Sequence, residues 1–257
     1  MDIFITVVVC IIAGAAAGLG TGFAGMSAAV AISPMLITFL DMDAYEAVGI
    51  ALASDILASA ISAWTYYKNK NLDIKLGIVM LMPVLAFTAL ASYIASFFKA
   101  STMGNVSIIM SMLLGVKFLL FPDNETKESM EAHDRQQQIS LALATGVVIG
   151  SICGFMGAGG GMMLLLALTT VLGCEIKTSV GTSVFIMTFT ALTGAGSHFY
   201  IGGTPNPLCL VVCALSTYVF AQVAAIIANH TESAKLNRMA GLNLVIIGAV
   251  ILVVKLF

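Results

Sequence analysis

The chain has 257 residues, 60% of them hydrophobic and only 9% charged, with a net charge of -2 and a mean hydropathy of +1.04. Soluble domains carry about 25% charged residues, so a water-soluble globular domain is excluded. The net charge says nothing about nucleic acid, but no basic patch that would bind it is present, so none is expected as a partner. Apolar runs long enough to cross a bilayer fill most of the length, the pattern of a polytopic membrane protein partnered by lipid.

Taken in chain order, the first apolar segment covers about residues 3–40. Met1-Asp2-Ile3-Phe4 lacks the basic n-region of a signal peptide and reads as the start of this segment. About 20 residues span the hydrocarbon, so the segment is too long for one crossing. Glycines interrupt it at Gly20–Gly25, which predicts two shorter helices turning back on each other. Single crossings follow over about 44–67, 75–98 and 101–121. Residues 122–138 form a charged connector with Glu125, Lys127, Glu128, Glu131, Asp134 and Arg135. The second half repeats the plan: a long segment over 139–173 broken at Gly157–Gly161, then crossings over 177–201, 206–229 and 236–256. The expected organisation is a membrane repeat over 1–121, a cytoplasmic connector over 122–138 and a second membrane repeat over 139–257.

The repetition is legible residue by residue. Gly14, Gly18, Gly22, Phe23, Gly25, Val48 and Gly49 recur 132 positions later as Gly146, Gly150, Gly154, Phe155, Gly157, Val180 and Gly181. Leu36/Leu168, Thr38/Thr170, Leu40/Leu172 and Ala63/Ala195 keep the same offset without a gap. Duplicated, glycine-interrupted apolar segments point to a transporter with its site between two related halves.

Charge sets the expected orientation, because Lys and Arg near helix ends favour the cytoplasm. Lys68, Lys70 and Lys75 place one loop inside, as do Lys127 and Arg135, Lys177, and Lys235 with Arg238. Asp41, Asp43 and Glu46 fit an outer loop, as does 202–206, and Lys99 and Lys255 are the two basic residues left on the outer side. Each half is then a hairpin followed by three crossings. That odd number inverts the second half and leaves both termini outside the cell membrane. Trp64, Tyr66 and Tyr67 at one level and Phe199 with Tyr200 at the other form the expected aromatic belts.

Irregular backbone at membrane depth survives only where protein or water covers it. A helix beginning after the glycines aims free N–H groups and a positive dipole end at the membrane centre. Gly25 with Ser27, and Gly157, Gly159, Gly160 and Gly161, are therefore candidate anion-binding residues. The glycines spaced by four, from Gly14 to Gly22 and from Gly146 to Gly154, fit close packing through small residues instead. Ser33, Ser54, Thr182 and Ser183 carry hydroxyls at suitable depths. Each is open to two readings, donation to an anion or back-bonding to the i-4 carbonyl.

Asp55 is the sharpest single residue. It lies about 11 residues from either end of its helix, where a carboxylate costs at least ~2.5 kcal/mol and usually faces a cavity or proton pathway. No Lys or Arg lies at comparable depth, so its expected partner is Ser, Thr, water or a proton. A proton-coupling role follows: neutral, Asp55 tolerates an anion nearby, and charged, it repels one. The competing reading is a helix-bridging hydrogen bond. His198, near the outer interface, is open to meeting an entering anion or to sitting there as a polar ring. Gln222 and Asn243 are expected to bond between helices.

Gly154-Phe155-Met156-Gly157-Ala158-Gly159-Gly160-Gly161 after a glycine-periodic helix, then Val180-Gly181-Thr182-Ser183, then His198 followed by Gly202, resembles the sulfite exporter TauE/SafE family. The first copy departs from that pattern, with Met26-Ser27-Ala28-Ala29, Gly49-Ile50-Ala51 and Tyr66 at the matching places. The resemblance implies transport of small sulfur oxyanions or organosulfonates such as sulfite, thiosulfate or a sulfoacetate-like anion.

Other classes fit less. Cys10, Cys153, Cys174, Cys209 and Cys213 are odd in number and form no CxxC pair. No phosphate loop or metal-ligand spacing appears, so no cofactor is expected. Ser197 adjoins His198, but neighbours at i, i+1 do not face each other on a helix, and no nucleophile elbow exists, so an enzyme is not expected. The expectation is a secondary transporter of a small anion working by alternating access, with an uncoupled anion facilitator or a membrane scaffold subunit as alternatives. Which anion, which direction and whether the chain forms a homo-oligomer are not encoded legibly.

Overall fold

The computed structural model describes residues 3–95, 135–156, 160–202 and 204–232, together with isolated helical positions between 235 and 249. All regular structure among them is helical: α1 (Ile3–Ala24), α2 (Ala29–Leu40), α3 (Ala44–Lys68), α4 (Ile74–Ala95), α5 (Arg135–Met156), α6 (Gly160–Thr170), α7 (Ile176–Gly202) and α8 (Pro207–His230). Five helical stretches, Ile3–Ala24, Tyr45–Lys68, Ile74–Ala91, Ile176–Tyr200 and Pro207–His230, are long and apolar enough to cross a membrane. The chain is a multi-pass membrane protein. The segment expected over 101–121 and most of the connector lie outside the described residues. Arg135 to Gln138, expected in the connector, are instead the first turn of α5.

The 132-residue offset holds for the helix boundaries: Ile3 and Ala24 of α1 correspond to Arg135 and Met156 of α5, and Ala44 of α3 corresponds to Ile176 of α7. The packing partners correspond as well. α1 packs chiefly on α8, α4 on α5, and α3 on α7. α1 and α8 run side by side in the same direction, since Gly14 faces Cys213 and Ser216 while Gly22 faces Ala224 and Ala225. α5 and α4 do the same, Gly146 against Met80 and Pro83 and Gly150 against Val84 and Phe87. α3 and α7 cross antiparallel, with Gly49 against His198 and Phe199 at one end and Gly181 against Tyr66 at the other.

Small residues make these contacts. α8 buries Cys209, Cys213, Thr217, Ala221, Ala224, Ala225 and Ala228 on one face. Leu208, Val211, Leu215, Val219, Val223 and Ile226, spaced by three or four, are exposed on the other and face lipid. Lipid is as apolar as Leu, so close backbone approach rather than hydrophobicity holds the helices together. The Gly14, Gly18 and Gly22 column meets that small face; a Cβ on Gly18 would stand 2.5 Å from the Thr217 carbonyl oxygen.

The loops sort into two ends. At one, Asp43 caps α3 by accepting from the Tyr45 and Glu46 N–H groups, and Asn206 caps α8 just before Pro207. Glu46 Oε1 accepts from the Asn206 N–H at 2.7 Å and joins the two loops. At the other end Asn71 Nδ2 donates to Asn229 Oδ1 at 2.6 Å, and Lys177 Nζ donates to the Asn229 carbonyl at 3.1 Å. Lys68, Lys70 and Lys75 lie at this basic end with Lys177. Trp64 and Tyr67 are exposed there, and Lys68 sits 5.2 Å from the Trp64 ring centre. Tyr66, expected in that belt, is fully buried instead, its hydroxyl donating to the Gly22 carbonyl at 2.9 Å.

Gly18→Ala should lower stability by ~1–3 kcal/mol, because the added methyl meets backbone that cannot yield. Gly196→Ala, with nothing within 4 Å of the new Cβ, should change it by less than about 0.5 kcal/mol. Thermal unfolding of the two variants in detergent checks the contrast.

Candidate functional site

The first hairpin turns over Gly25 to Ala28. Gly25 has φ +60°, a left-handed conformation that favours glycine. A side chain here would also collide with Ser183, whose Oγ lies 2.2 Å from the ideal Cβ position. Thr21 Oγ1 ties the turn by donating to the Met26 carbonyl at 2.8 Å. The turn presents Ser27, and Ser27 Oγ donates to Asp55 Oδ2 at 2.8 Å. Because Asp55 is at mid-helix in α3, this bond places the hairpin tip near the centre of the bundle. The backbone N–H of Ala28 lies against the same carboxyl group.

α6 begins where the two hairpins meet. A Cβ on Gly161 would stand 1.9 Å from the Gly25 carbonyl oxygen and 2.1 Å from Met187 Sδ, so only glycine fits. The first N–H groups of a helix have no intrahelical partner. Those of α6 lie at the level of the first hairpin tip.

A cavity of about 500 Å³ lies beside this junction. Its polar lining comes from Ser27 and Asp55, from Gly160 and Gly161, from Tyr45 and Thr88, and from Thr190, Thr193, Ser197 and His198 of α7. Leu52, Val84, Leu164 and Met187 supply apolar wall. Tyr45 and His198, ring centres 4.2 Å apart, also line a second cavity of about 300 Å³ at the acidic end, with Asp43, Glu46 and Thr204. The larger cavity thus leads toward the acidic end.

Three buried polar atoms on residues lining the larger cavity have no hydrogen-bond partner among the described residues: Asp55 Oδ1, Thr88 Oγ1 and His198 Nδ1. A buried polar atom without a partner costs about 1–3 kcal/mol, so three converging on one space suit a polar guest. Asp55 is 1% exposed and meets no cation among the described residues.

The structure brings together Ser27, Asp55, Gly160, Gly161 and His198 from the residues singled out in the sequence. It does not bring the others. Ser54 Oγ back-bonds to the Ile50 carbonyl and Ser183 Oγ to the Val180 carbonyl. Thr182 Oγ1 accepts from the Asp73 N–H at the basic end. Ser33 is buried and unpaired but lies off the cavity. Gly25 shapes the junction without lining the cavity. Gly157 and Gly159 lie outside the described residues.

Thr88 and Tyr45 were not anticipated. Thr88 bears the one hydroxyl between Leu76 and Ala91 of α4, which is the signal that marks it. Its freedom contrasts with Thr21, Thr145, Thr169, Thr188 and Thr217, all of which donate to carbonyls four residues back. In the loop before α7, burial, helped by the Asp73 charge, pushes the Cys174 thiol up to about 12.

The sequence profile of the sulfite exporter TauE/SafE family matches residues 10–251. The chain is 25% identical over 264 residues to the probable membrane transporter protein YunE of Bacillus subtilis (strain 168), covering 96% of each chain. It is 23% identical over 216 residues to the probable membrane transporter protein YdhB of the same organism, covering 82% of this chain and 86% of the relative. No solved structure shows a significant match.

Ser27→Ala should cost ~1–3 kcal/mol of stability, since Asp55 Oδ2 loses its donor. Thr88→Val should leave stability within about 0.5 kcal/mol while impairing transport, because its hydroxyl bonds no group among the described residues. Unfolding midpoints measured beside uptake separate the two roles.

Proposed function

The chain belongs to the sulfite exporter TauE/SafE family of membrane transporters, and from that premise we propose that it moves a small sulfur oxyanion or organosulfonate across the cell membrane through the cavity beside Asp55. The carrying observation is the convergence there of the α6 N-terminus, the unpartnered Thr88 hydroxyl and a buried carboxyl group in one space of about 500 Å³. Helix N-termini bind oxyanions through free N–H groups and the positive dipole end. The Thr88 hydroxyl adds a donor, and no buried lysine or arginine is needed.

Asp55 supplies the coupling. An anion a few ångströms from a carboxylate is repelled by several kcal/mol at the dielectric of a protein interior. Protonated, the same group donates a hydrogen bond instead. Anion and proton therefore enter together or not at all, and Ser27 holds the carboxyl group toward the cavity in both states. An Asp55 facing protein alone would favour an uncoupled facilitator; its place on the cavity wall supports coupling instead.

Alternating access rests on the repeat. α3 and α7, which correspond across the 132-residue offset, cross antiparallel. Counterparts pointing in opposite directions are what an inverted-topology repeat requires. The exchange of partners, α1 with α8 against α5 with α4, fits the same pseudo-two-fold relation. The two halves then exchange conformations and expose the cavity to each side in turn.

Uptake of radiolabelled sulfite, thiosulfate and a small organosulfonate into proteoliposomes tests this reading. Accumulation should be driven by a pH gradient and should rise as the loading side is acidified. Asp55→Asn should equilibrate the anion passively and lose gradient-driven accumulation. Wild-type flux indifferent to the gradient would refute the coupling, and absence of flux for all three anions would refute the substrate class.

A further inference from the structure

The two ends of the molecule carry matching positions in different states. Tyr66 in the last turn of α3 corresponds to His198 near the end of α7, and Gly22 near the end of α1 corresponds to Gly154 of α5, all at the offset of 132. The contacts correspond too. A Cβ on Gly181 would lie 2.8 Å from Tyr66 Cβ, and one on Gly49 would lie 3.4 Å from His198 Cβ. At the basic end Tyr66 is fully buried and its hydroxyl donates to the Gly22 carbonyl at 2.9 Å. There the Asn71–Asn229 pair and Lys177 tie the loops together. At the acidic end His198 is half-buried between two cavities, its ring against the Tyr45 ring and backbone, and Nδ1 has no partner among the described residues.

We infer that Tyr66 and His198 are alternate latches: Tyr66 on the Gly22 carbonyl holds the basic end closed here, and His198 on the Gly154 carbonyl holds the acidic end closed in the opposite-facing state. The inference rests on the alternating-access reading above. If the halves exchange conformations, the Tyr66–Gly22 bond breaks and its counterpart forms. A free ring nitrogen at the open end is what a disengaged latch leaves behind, and the Gly154 carbonyl is the acceptor that the repeat assigns to it. The imidazole is shorter than the phenol, so α7 must draw closer to α5 at this end than α3 lies to α1 at the other. His198 and Tyr66 act here as positioning residues.

The test uses Ala89→Cys, an exposed position on the cavity wall, labelled by a membrane-impermeant maleimide added at the acidic end in proteoliposomes. Cys10, Cys174, Cys209 and Cys213 are buried, and labelling of the parent without Ala89→Cys sets the background. One net hydrogen bond shifts a two-state equilibrium by about 2- to 10-fold. Tyr66→Phe should slow labelling of Cys at 89 by that factor, and His198→Ala should raise it. The double variant should return toward the parent, and His198→Gln, which keeps an N–H donor, should label like the parent. Gel filtration of each variant confirms that it is folded. If thiosulfate alters labelling of the parent but His198→Ala labels like the parent, or more slowly, the latch is overturned while alternating access stands. If an anion that the protein transports in the uptake assay alters nothing in the parent, alternating access fails and the latch with it.

Discussion

The hydrogen bond from Ser27 to Asp55 is the interaction on which the rest depends. A carboxyl group in mid-membrane is tolerated only with polar company. The nearest polar company here is a turn that breaks a helix at the same depth. The turn in turn needs Gly25 in a left-handed conformation, and its carbonyl needs a glycine opposite it, Gly161, at the start of α6. Asp55 of α3, the turn between α1 and α2 and the start of α6 are thus tied together through Ser27, Gly25 and Gly161.

Around that junction the bundle is held by contacts of small residues. The columns of glycine in α1 and α5 press on backbone of α8 and α4, and large side chains of α8 turn outward to lipid. Such an arrangement leaves room for a central cavity with polar groups set in a largely apolar wall. The halves are alike in plan and unlike at their ends. Tyr66 is bonded to the Gly22 carbonyl, whereas His198 Nδ1 has no partner among the described residues, and the larger cavity leads toward the acidic end.

Much of this is legible in the sequence because apolar length, glycine spacing and a buried charge are strong local signals. The breaks in the two long segments, the start of α3 and α7 within a residue or so, and the burial of Asp55 at mid-helix all follow from them. The fate of each hydroxyl does not. Ser54 and Thr88 sit in similar apolar surroundings, yet Ser54 bonds its own helix and Thr88 faces the cavity unpaired. That choice is made by side-chain rotation and by which face the neighbouring helices cover. Tyr66 misled for the same reason, since an aromatic beside Trp64 and Lys68 suits a membrane interface until packing turns it inward. The first turn of α5 was misread because charged and amide residues at a helix start look like a connector.

The central claim is that anion and proton meet at Asp55, and proton uptake on anion binding tests it most directly. Purified protein in weakly buffered detergent, with a pH indicator, would be titrated with thiosulfate or sulfite and compared with Asp55→Asn. The account predicts that wild type takes up protons as the anion binds and that Asp55→Asn binds without uptake. Equal uptake by both proteins, or binding by wild type with none, would contradict it.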